Sequence, residues 1–406
     1  MYVRWFFEVP INQTFMKNLV LYVLFFAVFY SCQSGSQKAK ITNDIIKIDI
    51  SKSYPQSKKS DRDVIADIEY VPLETTKDVL VANYASLHYV SEKYMIVTER
   101  GRGDIFIFNR NGKIVTHLSR KGRGPEEYNA MFSVVFDEKN EEIFVFDNIG
   151  TGRVLVYSLN GEYRRTLRYS TDLSLTAYNF DEETMLVYDT NNLDNDNYNK
   201  KPYMLMSKKD GDIISVLNIH LPVRYSTRVF DQFTDSSGQL WTSGASFRIP
   251  NRRHDGEDFL IADISSDTIY RLTRNRDLFP WIVRTPSVHS TEPRLVCTPV
   301  IITDNFVFLH ITTLDYALLQ KQQSIPSKTL MYEFETGEIS RVNHNSNSMI
   351  DANVLQKNII VNMIFADILL DAYKANQLIA TADLDQLVAT LDEEDNPVVI
   401  IMKITQ

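Results

Sequence analysis

Short apolar runs broken by glycine, asparagine and aspartate recur along most of this chain, and one block of the pattern occurs twice. Tyr94 to Leu118 lies without a gap over Ile143 to Leu167, forty-nine positions later. The identities are confined to Gly101/Gly150, Gly103/Gly152, Asn111/Asn160, Gly112/Gly161 and Leu118/Leu167. Turn residues that persist while strand residues keep only apolar character mark a recurring supersecondary unit. In each copy a run rich in Ile, Val and Phe leads into Asn-Gly, at Asn111-Gly112 and Asn160-Gly161. That dipeptide predicts a type I′ hairpin, with positive φ at both central residues. Each unit is therefore at least a three-strand meander. Its runs are apolar on both faces, so the sheets must stack on one another.

Looser copies follow. Met185 to Tyr188, Tyr203 to Met206, the turn Asp210-Gly211 and Ile213 to Leu217 form a third unit. Asp235 to Trp241, Phe259 to Ile264 and Thr268 to Leu272 form a fourth, and Asn305 to Ile311, Thr329 to Phe334 and Ile339 a fifth. Starts near 64, 131, 178, 228 and 300 give a spacing of roughly fifty, the period of four-stranded propeller blades with some lengthening in loops. The sixth unit is irregular. Asp367 to Leu378 and Asp383 to Leu391 carry helical spacing, Asp383 and Gln386 have the form of a capping box, and Pro397 stops the helix before the strand Val398 to Ile404. Pairing of that last strand with an early one such as Ile45 to Ile50 would close the ring and remove its exposed edges. The expected fold is all-β: a six-bladed β-propeller over residues 45–406 with a short helical insertion in the last blade.

The amino-terminal pattern is different. Leu19 to Tyr30 is a twelve-residue uncharged run, preceded by Lys17 and followed by Ser31-Cys32. It is too short to cross ~30 Å of hydrocarbon as a helix but has the form of a signal-peptide core. Ser31-Cys32 resembles a bacterial lipoprotein signal, which implies cleavage before Cys32 and lipidation of its thiol. Residues 1–31 are then a signal peptide, with 1–15 an upstream misassigned start before Met16, and 32–44 a flexible tether. The alternative is a buried or membrane-anchoring helix with Cys32 as an ordinary thiol. No acidic residue directly follows Cys32, which favours a periplasmic over a surface orientation.

Composition narrows the partners. The formal charge is −9, and no long basic run is present to neutralise a phosphate backbone, so nucleic acid is not an expected partner. With only Cys32 and Cys297, a disulfide framework is not expected either.

Four segments in order, Tyr70 to Thr75 (YVPLET), Lys121 to Tyr128 (KGRGPEEY), Asp267 to Thr273 (DTIYRLT) and Glu393 to Val399 (EEDNPVV), resemble the six-bladed, NHL-like β-propeller lipoproteins of Bacteroidota. Glu126 departs from that pattern, standing where a glycine is common. The resemblance implies a propeller on a lipid anchor in the cell envelope, in the outer membrane facing the periplasm, and brings no catalytic residues with it.

Arg120, Lys121 and Arg123 form the densest basic turn, and the glycines beside them could expose N–H groups to an anion. The plainer reading is an inter-blade connector with solvated charges. Arg102-Gly103-Asp104 spells an integrin tripeptide but sits in a glycine-rich link before a strand. Asp189 to Asn199 offers oxygen ligands without the spacing of an EF-hand, which suits a solvated loop. The seven histidines have no metal or triad spacing, His310 lies in an apolar strand as a core or channel residue, and Trp241 and Trp281 could stack on a sugar, although Trp241, which begins a strand, suits blade packing. No catalytic or metal site and no cofactor is expected, apart from calcium in the central channel under one alternative. The leading expectation is a non-enzymatic binding or scaffold module for a glycan, peptide or partner envelope protein. The alternative is a channel-centred, calcium-dependent hydrolase or lactonase-like enzyme.

Overall fold

A computed structural model of the chain describes residues 45–405, apart from 61, 83, 148–149, 192–198, 235–237, 247–251, 256–257, 322, 343–353 and 357, and without the side chains of 62, 228–234, 240–246, 252–255 and 354–356. The signal segment, the tether and Cys32 lie outside the described residues.

After β1 (Ile46–Asp49) and β2 (Ile65–Pro72), strands follow in antiparallel meanders. Blade 1 contains β3 (Ser86–Val90), β4 (Tyr94–Glu99), β5 (Asp104–Asn109) and β6 (Ile114–Ser119). Blade 2 contains β7 (Ser133–Asp137), β8 (Glu142–Phe146), β9 (Arg153–Ser158) and β10 (Tyr163–Arg168). Blade 3 is built from β11 (Leu175–Asn179), β12 (Thr184–Asp189), β13 (Tyr203–Ser207) and β14 (Ile213–Val216). A separate hairpin, β15 (Arg228–Thr234) and β16 (Leu240–Ser246), precedes blade 4, which is β17 (Arg252–Asp255), β18 (Asp258–Ala262), β19 (Thr268–Leu272) and β20 (Leu278–Thr285). Blade 5 has β21 (Arg294–Ile302) and β22 (Phe306–Leu314), then helix α1 (Tyr316–Gln320), β23 (Ser327–Glu333) and β24 (Ile339–Val342). Blade 6 has β25 (Val354–Gln356), β26 (Ile359–Ile364), helices α2 (Ala366–Lys374) and α3 (Ala382–Val388), and β27 (Val398–Ile404). The two repeats of the sequence are thus blades 1 and 2.

The stacking expected from two-sided apolar runs is what holds the ring. Successive residues of a strand point to opposite faces, so β5 sends Ile105 and Ile107 toward blade 2 and Phe106 and Phe108 toward blade 6. Six such cores alternate with the six blades, between blades 1 and 2, 2 and 3, 3 and 4, 4 and 5, 5 and 6, and 6 and 1. No blade could bury both faces alone, which is why the fold is a closed ring and not a set of independent sheets.

Closure uses a different strand from the one expected. β2, and not Ile45 to Ile50, is the outermost strand of blade 6, antiparallel to β27 from Ile65↔Ile404 to Pro72↔Val398. β1 instead pairs in parallel with β20, as a fifth strand on blade 4. Between them Pro55 and Ser57 exchange backbone hydrogen bonds with Arg341 of β24 at 2.8 and 2.7 Å. The amino-terminal segment therefore forms a belt across the outer edges of blades 4, 5 and 6. Both early segments are apolar enough to be strands, and the choice between edges lies in the partners: the longer β2 matches the length of β27, whereas Ile48 of β1 fits the core between blades 4 and 5.

Three smaller expectations are corrected. The Asn-Gly hairpins are not type I′. Gly112 N–H donates to Asn109 O at 3.0 Å and Asn109 N–H to Lys113 O at 2.8 Å, with positive φ at Gly112 (+79°) but not at Asn111. This is a type I turn followed by a glycine bulge, and Asn109 favours it by accepting the Asn111 and Lys113 N–H groups on Oδ1. The cap of α3 is Thr381, whose hydroxyl accepts the Leu384 N–H at 3.1 Å, so Asp383 and Gln386 form no capping box. Trp241 lies in β16, in the separate hairpin and not in a blade sheet. Trp281 does pack within a blade, buried with the Arg271 guanidinium 5.2 Å from its ring centre.

Candidate functional site: the central channel

The loops that close strand pairs on one side of the ring are pinned by buried carboxylates. Asp147 Oδ1 accepts the N–H groups of Asn129 and Ala130 at 2.8 and 3.2 Å, and its Oδ2 receives Arg153 at 2.5 Å. Asp189 accepts Ser174 and Asn191, and Asp263 accepts the Tyr203 hydroxyl and the Ser265 N–H. Buried acceptors of this kind fix loop geometry because leaving an N–H or a carboxylate unpaired away from water is costly. Asp189, considered above as an oxygen ligand, is therefore committed to structure. Residues 192–198 of the same segment lie outside the described residues.

The basic turn belongs to this scaffold. Gly122 N–H and Tyr128 N–H bond across the loop, Tyr128 donates its buried hydroxyl to Gly103 O at 2.5 Å, and Tyr157 donates to Glu126 O at 2.7 Å. Glu126 has no positive φ, so its departure from glycine leaves the loop unstrained. Gly124 N–H points at Glu127 Oε2, 2.8 Å away, and a Cβ on Gly122 would fall 1.9 Å from that same oxygen. The chain's own carboxylate thus fills the place an anion would take. Lys121 Nζ donates to Gly101 O at 2.7 Å and Arg120 to Gly161 O at 3.4 Å, while Arg123 is exposed. Arg102 pairs with Glu99 and with the buried Asp104, so the Arg-Gly-Asp tripeptide is tied into the same turn.

The first strands of blades 1, 2 and 3, namely β3, β7 and β11, border a cavity of about 1100 Å³. His88, Val134, Thr176 and Tyr178 come from these strands, and Lys93, Glu138, Lys139 and Glu182 from the loops that follow them. At the rim Glu138 accepts the Tyr89 hydroxyl at 3.0 Å, and Lys139 pairs with Glu182. Burial and the Glu138 charge push the Tyr89 phenol up. Just behind the rim Lys208, almost wholly buried, donates to Asp137 Oδ2 at 2.6 Å.

His88 is open to the channel but enclosed by protein on its other sides. That enclosure, with the charge of Arg100, pulls its pKa from 6.5 down to about 4. At neutral pH it is an uncharged imidazole, one donor and one acceptor. Because the unfolded chain takes up this proton below about pH 6.5 and the folded chain only near 4, folding stability falls as pH drops through that window. In acid titrations followed by thermal melting, His88→Leu is expected to lose stability less steeply between pH 6.5 and 4 than the wild type. Parallel curves would show that His88 carries none of the effect.

The other sequence candidates lie elsewhere. His310 is buried in β22 between Thr298 and Thr329, in the blade and away from the cavity. Cys297 is buried in the core between blades 4 and 5, which raises its thiol to about 12. Among the described residues, no three His, Cys, Asp or Glu side chains gather as a metal site.

Taken together, the stacked four-stranded sheets, the amino-terminal closing strand and the axial cavity define a six-bladed β-propeller. A family model described as a domain of unknown function, DUF4934, matches residues 45–403, and the chain belongs to that family. Among solved structures, a Bacteroides fragilis protein described as exported is 14% identical, with a TM-score of 0.59 over 89% of this chain and 100% of that one. A member of the DUF4221 family from Bacteroides vulgatus is 10% identical, with a TM-score of 0.41 over 84% and 97%. Virginiamycin B lyase from Staphylococcus aureus is 8% identical, with a TM-score of 0.36 over 83% and 99%. No curated protein matches the chain.

Proposed function

We propose that this protein is a cell-envelope binding module, tethered through a lipid on Cys32, whose ligand enters the central channel against blades 1 to 3. The observation that carries this reading is the channel cavity, about 1100 Å³, with walls supplied by blades 1 to 3 and by Arg274 of blade 4. Propellers keep ring-building residues apart from channel and loop residues, so the second set can suit a ligand without disturbing the first. The ligand is a glycan, a peptide or an exposed segment of a partner envelope protein. The likeness to a protein described as exported agrees with an envelope location, and the outer membrane facing the periplasm fits the lack of an acidic residue directly after Cys32.

Thr176→Trp would fill the channel from a position already facing it. Envelope extract passed over the immobilised wild-type ring is expected to leave material that the Thr176→Trp ring does not hold. Equal capture by both would remove the channel from the proposal. The anchor is tested separately: Cys32→Ala should move the protein from the membrane to the soluble fraction, and unchanged membrane retention would count against lipidation.

A further inference from the structure

The connection from the closing strand β2 to blade 1 is fastened by one buried side chain. Residues 73–82 pass from blade 6 to blade 1 outside both sheets. Asn396, 2% exposed, turns both donors and the acceptor of its amide onto them: Nδ2 donates to Glu74 O at 2.7 Å and to Val79 O at 2.8 Å, and Oδ1 accepts the Val81 N–H at 2.8 Å. The Asn396 N–H donates to Thr75 Oγ1 at 2.9 Å, and the Leu73 N–H to Pro397 O at 3.0 Å. From the other side Arg102 Nη2 donates to Leu80 O at 2.7 Å. Two segments far apart in sequence, Tyr70 to Thr75 and Glu393 to Val399, therefore meet at this point.

The connection leads directly into the channel wall. β3 begins at Ser86, and its His88 and Tyr89 border the cavity. Like β7 and β11, β3 ends its sheet and pairs there on one side only. Unlike them, it is bulged: its ladder with β4 passes from Leu87↔Val97 to Tyr89↔Ile96 and leaves His88 without an opposite residue, whereas β7 with β8 and β11 with β12 pair without interruption. A bulge breaks the ladder locally and lets the strand bend, so β3 is held less firmly by its neighbour than the other two wall strands. What else holds it is packing against the connection: Leu87 shares the core between blades 6 and 1 with Leu73, Val79 and Val81.

We propose that residues 73–82 form a latch, closed by Asn396, that keeps β3 in the channel wall, and that opening the latch lets β3 move while the rest of the ring stays folded. Opening shifts His88 and Tyr89 and leaves the walls from blades 2 and 3 in place. Asn396 follows the turn in which the Asp395 N–H donates to Asp392 O, at the end of the helical insertion, so the insertion is joined to the channel wall through this one side chain. The latch is a property of the ring and does not depend on what the channel binds.

Hydrogen–deuterium exchange on the full chain tests this, because exchange reports local opening segment by segment. In Asn396→Ala, exchange is expected to accelerate at least tenfold in residues 73–82 and in β3, and to stay at the wild-type rate in β7 and β11. Thr75→Val keeps the amide and removes only the acceptor of the Asn396 N–H; it is expected to act on the same residues more weakly, and it carries the test should Asn396→Ala not fold. Faster exchange in residues 73–82 with β3 unchanged would overturn the inference, since the wall would then be held without the latch. Equal acceleration in β3, β7 and β11 would also overturn it, because Asn396 would then support the whole ring and no separate movement of β3.

Discussion

Lys208→Met is expected to destabilise the protein by about 3–5 kcal/mol, the usual result of leaving one member of a buried ion pair without its partner. Lys208 and Asp137 side chains are only 5% and 3% exposed, and the ammonium also donates to the Asp181 carbonyl at 2.5 Å. It therefore ties the edge of blade 2 to the turn of blade 3 that shapes the channel rim. Methionine fills the same space without the charge, so the loss reports the stranded Asp137 carboxylate and not a cavity. The double variant Lys208→Met/Asp137→Leu should recover most of the loss, because a buried pair replaced by apolar groups of similar size is often neutral. Urea titration of the three proteins checks this. A single-variant cost below about 1 kcal/mol would mean that water reaches the pair.

The second large effect concerns glycines that the repeat makes look equivalent. Gly112 has φ of +79°, and a Cβ there would lie 2.0 Å from the Pro72 carbonyl oxygen, at the seam where the belt passes from blade 6 to blade 1. The same seam is tied by Glu69, which takes both Arg110 Nη atoms at 2.9 and 2.6 Å, and by Glu74, which accepts the Ile114 N–H at 2.9 Å. Gly112→Ala is expected to cost about 3 kcal/mol, from a strained φ together with overpacking. Gly161, its partner in the repeat, has the same φ but its nearest neighbour is the end of the Leu118 side chain at 3.3 Å, so Gly161→Ala should cost about 1 kcal/mol. Gly101→Ala, with nothing within 4 Å and no positive φ, should stay within about 0.5 kcal/mol of wild type. Denaturant midpoints that fail to fall in this order would show that the seam does not hold the ring closed.

Legibility in the sequence followed the range of the interactions. The repeat at Tyr94 and Ile143 exposed blades 1 and 2 because a tight turn constrains its own few residues. The helical insertion was visible for the same reason, even though the cap moved to Thr381. Turn type was less legible: Asn-Gly serves both a type I′ turn and a glycine bulge, and Asn109, two residues earlier, selects the bulge. The basic turn at Arg120, Lys121 and Arg123 was conspicuous, but nothing local said that Glu127 would fold back onto Gly122 and Gly124.

The channel was the least visible feature. His88, Val134, Thr176 and Tyr178 come from three blades, and none stands out in its own strand. They face one space only because the ring closes.

The sequence by itself determined the blade: its period, its turns and the two apolar faces that make an isolated sheet untenable. These depend on alternation and turn chemistry within a few residues. Only the tertiary structure decided that β2 closes the ring while β1 braces blade 4, that Gly112 cannot be exchanged while Gly101 can, and which side chains look into the channel. Each of those depends on what a residue meets across the ring, where packing and partner geometry outweigh local preference.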